Sequence, residues 1–177
     1  LEAEVNSLDR HEFINGEIVL MAGGSPDHNE IAINLGGALK LALKGKPYRT
    51  FSSDQRLWIP QLNNYTYPDL MVVAKPIELQ SGRTDTITNP LLIAEVLSKG
   101  TRAYDRDEKF AAYRSIPSFQ EYLLIDQYRV RVEQYSKTDA NKWIFSEYGV
   151  MGDRLMLTSV QVEIAIADLY ENIEFSE

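Results

Sequence analysis

Leu91-Leu92-Ile93-Ala94-Glu95-Val96-Leu97 is an apolar run interrupted by one carboxylate. Pro90 introduces it and Ser98-Lys99-Gly100 closes it, so it predicts a β-strand buried on both faces. Such a strand belongs inside a sheet covered by helices. Glu95 is the anomaly within it. An ionised carboxylate is costly to bury unless it pairs or holds a cation. Glu95 is therefore either the partner of a cation from the next helix, with Arg102 and Arg106 as candidates, or a functional group. The strand alone does not separate the two.

Downstream, Thr101–Ser115 offers Ala103, Phe110, Ala111 and Tyr113 for packing and ends before Pro117, which predicts a helix. Glu121–Ile125 predicts a further strand, and Arg129–Tyr135, Trp143–Tyr148 and Val162–Ile166 alternate as antiparallel ribbon. Upstream, Tyr48–Ile59 and Tyr67–Val73 predict two strands separated by a polar turn at Gln61–Asn64, with a loop over Pro76–Asn89. Asp27 and Glu30 have the spacing of a capping box. They open a helix with Ile31, Leu35, Ala38, Leu39 and Ala42 at helical spacing and Gly45 at its close. Gly36-Gly37 inside it marks close packing or a weak point. His11–Met21 carries the Asn15-Gly16 signal of a hairpin.

The element order predicts an α/β fold: one mixed β-sheet flanked by helices, with an N-terminal hairpin and a C-terminal antiparallel meander. A single domain is expected over residues 1–177, with its core at about 26–126 and a β-ribbon at about 127–170.

Composition agrees: 44% hydrophobic and 25% charged over 177 residues is ordinary for a globular chain. No apolar run approaches the roughly 20 residues of a membrane span, and no secretory leader is legible. Without cysteine there is neither a disulfide framework nor a thiolate zinc site. The expected location is cytoplasmic. A net charge of −8 argues against a protein that coats nucleic acid, because neutralising phosphates supplies most non-specific affinity. It leaves room for an enzyme with a local basic patch, and a metal site would account for part of the negative charge. Lys40, Lys44, Lys46 and Arg49 form one basic stretch, either a phosphate contact or the solvated end of a helix. Tyr48, Tyr65, Tyr67, Trp58 and Trp143 suit base stacking or packing in β-ribbons.

Asp69 follows Pro68 at the start of a β-rich run, and turn chemistry alone explains a Pro-Asp pair. Its interest lies in its company. Two carboxylates on neighbouring strands can converge on a hard cation that keeps several waters. Such a cation activates water and neutralises charge on a phosphodiester, and a nearby lysine offsets charge that develops in the reaction.

Tyr67-Pro68-Asp69-Leu70, Ile93-Ala94-Glu95-Val96-Leu97-Ser98, and Thr101-Arg102-Ala103-Tyr104-Asp105 with Lys109 and Tyr113 together resemble the Uma-two family of restriction endonucleases. Asn15-Gly16-Glu17-Ile18-Val19, His28-Asn29 and Glu121-Tyr122-Leu123-Leu124-Ile125-Asp126 fit the same family, so the likeness runs from about His11 to Tyr170. That family is in turn similar to the PD-(D/E)xK nucleases. The resemblance implies a restriction-endonuclease-like fold and hydrolysis of nucleic-acid phosphodiester bonds, DNA before RNA, with Mg²⁺ or Mn²⁺. It implies that Asp69 and Glu95 hold the metal with the main-chain carbonyl of Val96.

There is one departure. The standard lysine stands two residues after the acid, on the same strand face, and here that position is Leu97. Lys109 on the next helix is the expected substitute, sharing a face with Arg102 and Arg106. The plain alternative pairs Lys109 with Asp105 on a solvated surface. Lys99 is the reserve. Glu17 from the hairpin, with His28 and Glu30 from the first helix, are further candidates, each equally a cap or surface residue. A symmetric homodimer is the simplest way to bring two such sites to two strands. Two rivals remain: a catalytically inactive nuclease-like binding or regulatory module, favoured by Leu97 and the acidic charge, and a sugar hydrolase using the two carboxylates as acid and base.

Overall fold

The apolar run around Glu95 forms β8 (Pro90–Leu97), buried along its whole length. It lies between β6 (Leu70–Ala74) and β9 (Glu121–Asp126) in a six-stranded sheet. β8 and β9 are parallel, with Glu95 opposite Leu124, whereas β6 is antiparallel to β8, with Leu70 opposite Ala94. The connection between β8 and β9 contains a helix, as a parallel crossover requires. β3 (Tyr48–Ser52) forms one edge, and β10 (Val132–Asp139) with β11 (Lys142–Tyr148) completes the other. The computed structural model describes residue 4, residue 7 and residues 9–175, so both ends of the expected 1–177 span lie outside the described residues.

Strand alternation divides the core in two. Leu92, Ala94 and Val96 face a cluster with Leu70, Val72, Leu123 and Ile125. Helix α1 (Pro26–Ala42) covers it with Ile31, Leu35 and Leu39. Gly36 lets this helix close on β6, since a Cβ there would lie 3.2 Å from Leu70 Cδ1. The hairpin of β12 (Arg154–Leu157) and β13 (Val162–Ala165), followed by α3 (Ile166–Leu169), packs on the same side. Glu121 ties it down by accepting from the backbone N–H groups of Thr158 and Ser159, at 3.0 and 3.1 Å.

Ile93 and Leu97 face the other way, with Met71, Val73, Tyr122 and Leu124, against Phe110, Tyr113 and Ile116. Residues 102–113 form the helix on this side, α2, made of Arg102–Tyr104, a π-helical turn at Asp105–Lys109, and Phe110–Tyr113. A second sheet adjoins it, in the order β2 (Glu17–Leu20), β1 (His11–Ile14), β5 (Asn64–Thr66), β4 (Arg56–Ile59), β7 (Thr86–Ile87). It adds Leu57, Ile59 and Ile87 to this cluster.

The hairpin forms as expected, Ile14 opposite Glu17, with Asn15 and Gly16 both at positive φ. Several expectations are corrected. The strands make three sheets, not one. Tyr48–Ile59 splits at a turn after Ser52, and its halves join different sheets. β6 starts at Leu70, leaving Tyr67–Asp69 irregular. The N-cap of α1 is Ser25, not Asp27: its hydroxyl accepts from His28 N–H at 3.2 Å, and Pro26 takes the first helical position. Arg129–Arg131 belong to the turn before β10, and Ile166 begins α3.

Candidate active site

Asp69 and Glu95 lie on the same face of the six-stranded sheet as Met71 and Ile93, by strand alternation. They are linked through the main chain. The Asp69 N–H donates to Glu95 Oε2 at 3.3 Å, and the Val96 N–H donates to Asp69 Oδ2 at 2.8 Å. The other Glu95 oxygen, Oε1, accepts from Lys109 Nζ at 3.1 Å and from Tyr113 Oη at 2.8 Å. Strand and helix thus converge on one carboxylate that carries hardly any exposed surface.

Lys109 does more than the sequence suggests. Its ammonium lies 3.1 Å from Glu95, 3.2 Å from Asp105 Oδ1 and 4.0 Å from Glu12 Oε1. The pair with Asp105 exists, but it is buried, not solvated. Burial works against the ammonium, yet Glu95, Glu12 and Asp105 outweigh it and hold its pKa well above the ordinary value. For Glu95 burial raises the pKa; Lys109 opposes this, while the charges of Asp69 and Asp105 add to it. Burial also raises the Tyr113 phenol, reinforced by Glu95 and Glu12, so it remains a neutral donor.

His28 stands in the first turn of α1 with Nε2 3.2 Å from Asp69 Oδ2. Gly24 leaves room for it, because a Cβ there would lie 2.8 Å from Nδ1. Burial opposes the imidazolium, but Asp69, the Val96 backbone and Asp105 prevail and raise its pKa.

The remaining candidates separate. Arg102 pairs with Asp126 at 3.2 Å, and Arg106 grips Glu133 through two hydrogen bonds of 3.0 and 2.9 Å. The face they were expected to share with Lys109 does not form, because Arg106 and Lys109 both lie in the π-helical turn, whose wider winding takes residues three apart off a common face. Lys99 is exposed, with Nζ 5.4 Å from the centre of the Tyr128 ring. Glu17 is exposed at the cleft rim, and Glu30 is not among the residues lining the cleft.

Glu12, not Glu17, is the hairpin acid that reaches the centre. It is buried and accepts from Thr66 Oγ1 and from the Tyr67 N–H. No signal in β1 singles it out, because apolar residues stand on both faces of the hairpin. These groups lie along an open cleft of about 1130 Å³ between the two larger sheets, into which Asp69, Glu95, Val96 and Lys109 open.

A family model described as "Putative restriction endonuclease", Uma2, matches residues 1–167. The chain belongs to the Uma2 family. Two relatives of this Uma2 chain occur in Synechocystis sp.: the uncharacterised protein sll1609 is 43% identical over 153 residues, covering 86% of this chain and 85% of its own length. The uncharacterised protein slr1290 is 35% identical over 175 residues, covering 99% and 90%. The crystal structure of "a putative nuclease belonging to DUF820" from Anabaena variabilis superposes with a TM-score of 0.74 at 17% identity, covering 90% of this chain and 89% of that one. The Uma2 chain therefore has the restriction-endonuclease-like fold that its sequence leads one to expect.

A divalent cation of the kind the fold family implies can be tested against the side chains of this Uma2 member. Among the described residues no group of three or more His, Cys, Asp or Glu is placed to cage an ion. The donor set is two carboxylates and a main-chain oxygen, which suits Mg²⁺ or Mn²⁺ better than a caged metal, since Mg²⁺ keeps waters and takes one or two carboxylates. Charge points the same way. Glu12, Glu95 and Asp105 surround one ammonium, and Asp69 lies beside Glu95 with His28 3.2 Å away, so carboxylates outnumber cations here. The residues fit a cation.

Proposed function

We propose that this chain is a divalent-metal-dependent endonuclease that hydrolyses phosphodiester bonds, with DNA as substrate. The observation that carries this is the meeting of Asp69 and Glu95 from adjacent strands with Lys109 from α2, in a site with more carboxylates than cations. Asp69, Glu95 and the Val96 carbonyl would hold the cation. When bound, the cation supplies charge neutralisation at the phosphodiester and a lowered pKa for water.

The chain's own groups do the rest. The Val96 N–H fixes one Asp69 oxygen, and the Asp69 N–H fixes one Glu95 oxygen, so both carboxylates are set before substrate arrives. Lys109 is the positive group that orients the attacking water and offsets the developing negative charge, in place of the lysine absent at Leu97. Leu97 is wholly buried in the apolar cluster and takes no part. Tyr113 holds Glu95 against rotation. Tyr128 lines one end of the cleft, with the Lys99 ammonium and the Arg102 guanidinium 5.4 and 5.8 Å from its ring centre.

Calorimetric titration of Mn²⁺ and Mg²⁺ into wild type, Asp69→Ala and Glu95→Ala tests the reading, followed by cleavage of plasmid, linear and single-stranded DNA and of RNA. Binding and cleavage in wild type, lost in both folded variants, is the expected result. A second reading, a scaffold that binds without cutting, is favoured by the buried Leu97 at the motif position. It predicts no cleavage and no metal-dependent rise in melting temperature, with or without oligonucleotide.

A further inference from the structure

The far end of α1 carries a second feature, which the cleft does not use. A shallow hollow of about 320 Å³ is lined by Lys40, Lys44, Lys46, Arg49 and Lys75 and by no Asp or Glu. Three separate parts of the fold bring these cations together: the end of α1 and the turn after it, β3, and the end of β6. All five are exposed, and none is ion-paired among the described residues. In a chain of net charge −8 this segregation needs a reason. A helix C-terminus attracts lysines and accounts for Lys40 and Lys44. It does not account for Arg49 and Lys75, which come from β3 and from just past the end of β6.

The cleft, by contrast, is lined by seven Asp and Glu residues against Arg10, Lys109 and His28. A polyanion gains little there apart from what a bound cation provides. The two regions lie at opposite ends of the same elements. His28 and Lys40 are separated along α1 by roughly 18 Å at the rise of an α-helix. Asp69 and Lys75 flank β6 and are separated by about 20 Å at the rise of a strand.

We propose that this hollow is an anchor for the phosphate backbone of nucleic acid, about 20 Å, or roughly six base pairs, from the candidate active site. The proposal rests on the nuclease reading for the identity of its ligand. It divides labour: an acidic cleft selects the reacting phosphate, and a remote basic hollow supplies affinity that does not depend on sequence.

The test is fluorescence anisotropy with a labelled duplex of about 20 base pairs, in chelator so that nothing is cut, across a salt series. Wild type is compared with Lys44→Glu/Lys75→Glu and with the milder Lys44→Gln/Lys75→Gln, all checked for an unchanged melting temperature. Each lysine that neutralises a phosphate adds about 0.9 to the log–log salt slope, so the expected change is a slope shallower by about two and affinity lower by roughly tenfold or more. Folded variants with wild-type affinity and slope overturn the anchor. So does loss of binding to vesicles of anionic lipid while duplex binding stays intact. If wild type still cleaves short single strands in metal while the variants keep full duplex binding, only the anchor falls. If wild type neither binds the duplex nor cleaves any substrate, the nuclease reading falls with it.

Discussion

Glu95 on β8 and Glu121 on β9 are both fully buried, on neighbouring parallel strands, and their surroundings are opposite. Glu121 faces the α1 side of the sheet and is ringed by neutral donors: Gln134 Nε2, Ser136 Oγ, and the backbone and hydroxyl groups of Thr158 and Ser159. No cation and no second carboxylate approaches within bonding distance among these partners. Glu95 faces the α2 side, with three donors, one of them an ammonium, and with Asp69 and Asp105 close enough to push its pKa up. Burial alone therefore does not mark a functional carboxylate. What marks it is incomplete compensation: Glu121 has its charge dispersed over the fold it holds together, while Glu95 is left with an excess of like charge.

The comparison breaks most visibly at Glu95. Glu95→Gln keeps the shape and removes the crowded charge, so metal-dependent cleavage should fall by about a thousandfold or more, while the melting temperature of the metal-free protein holds or rises. Wild-type cleavage rates in this variant would make Glu95 a structural residue like its neighbour. Glu121→Ala should do the reverse. Stranding the donors of Thr158, Ser159 and Gln134 is expected to cost about 3 kcal/mol in denaturant unfolding, with metal affinity unchanged by calorimetry. Lys109→Met sharpens the contrast from the helix side: single-turnover rates should drop by roughly a hundredfold, with metal binding retained or tightened, because a competing cation has gone. Lys109→Arg should recover part of the rate.

The smallest effect concerns a carboxylate of a third kind, at the surface. Hydrogen bonding by Arg83 holds Asp85 down to about 2, below its ordinary value of 3.8. A depressed carboxylate contributes stability that is present above its unfolded pKa and lost as pH falls through the folded one. Asp85→Asn should therefore cost about 0.5 kcal/mol near neutrality, the scale of a water-screened ion pair. The difference from wild type should close between pH 4 and 2 in acid unfolding curves. A gap that persists at pH 2 would assign the loss to packing instead.

Much of this arrangement is legible in the sequence. β8 declared itself by composition, Glu95 by being charged within it, and Asp69 by its relation to Glu95; the hairpin was written in Asn15-Gly16. What stayed hidden depends on partners distant in the chain. Glu12 sits in a hairpin whose two strands offer apolar groups on both faces, so alternation does not say which side is covered; β5 decides it. Asp105 reads as solvated because an acid four residues before a lysine is the ordinary exposed pair, yet it is buried in the fold. The break after Ser52 was masked by the β-prone residues on both sides of it.

The π-helical turn in α2 carries one more implication, and it concerns single codons. A π turn holds one residue more than the α-helical turn it replaces. Forcing all of residues 105–109 into a regular α-helix would swing one end by about 100° against the other. Such a helix would keep Arg102 at Asp126 or Lys109 at Glu95, but not both, whereas deleting one residue from 105–108 would leave an α turn with both ends facing as they do now. The direction in which the lysine points is thus set by the reading length of the helix as much as by the lysine itself.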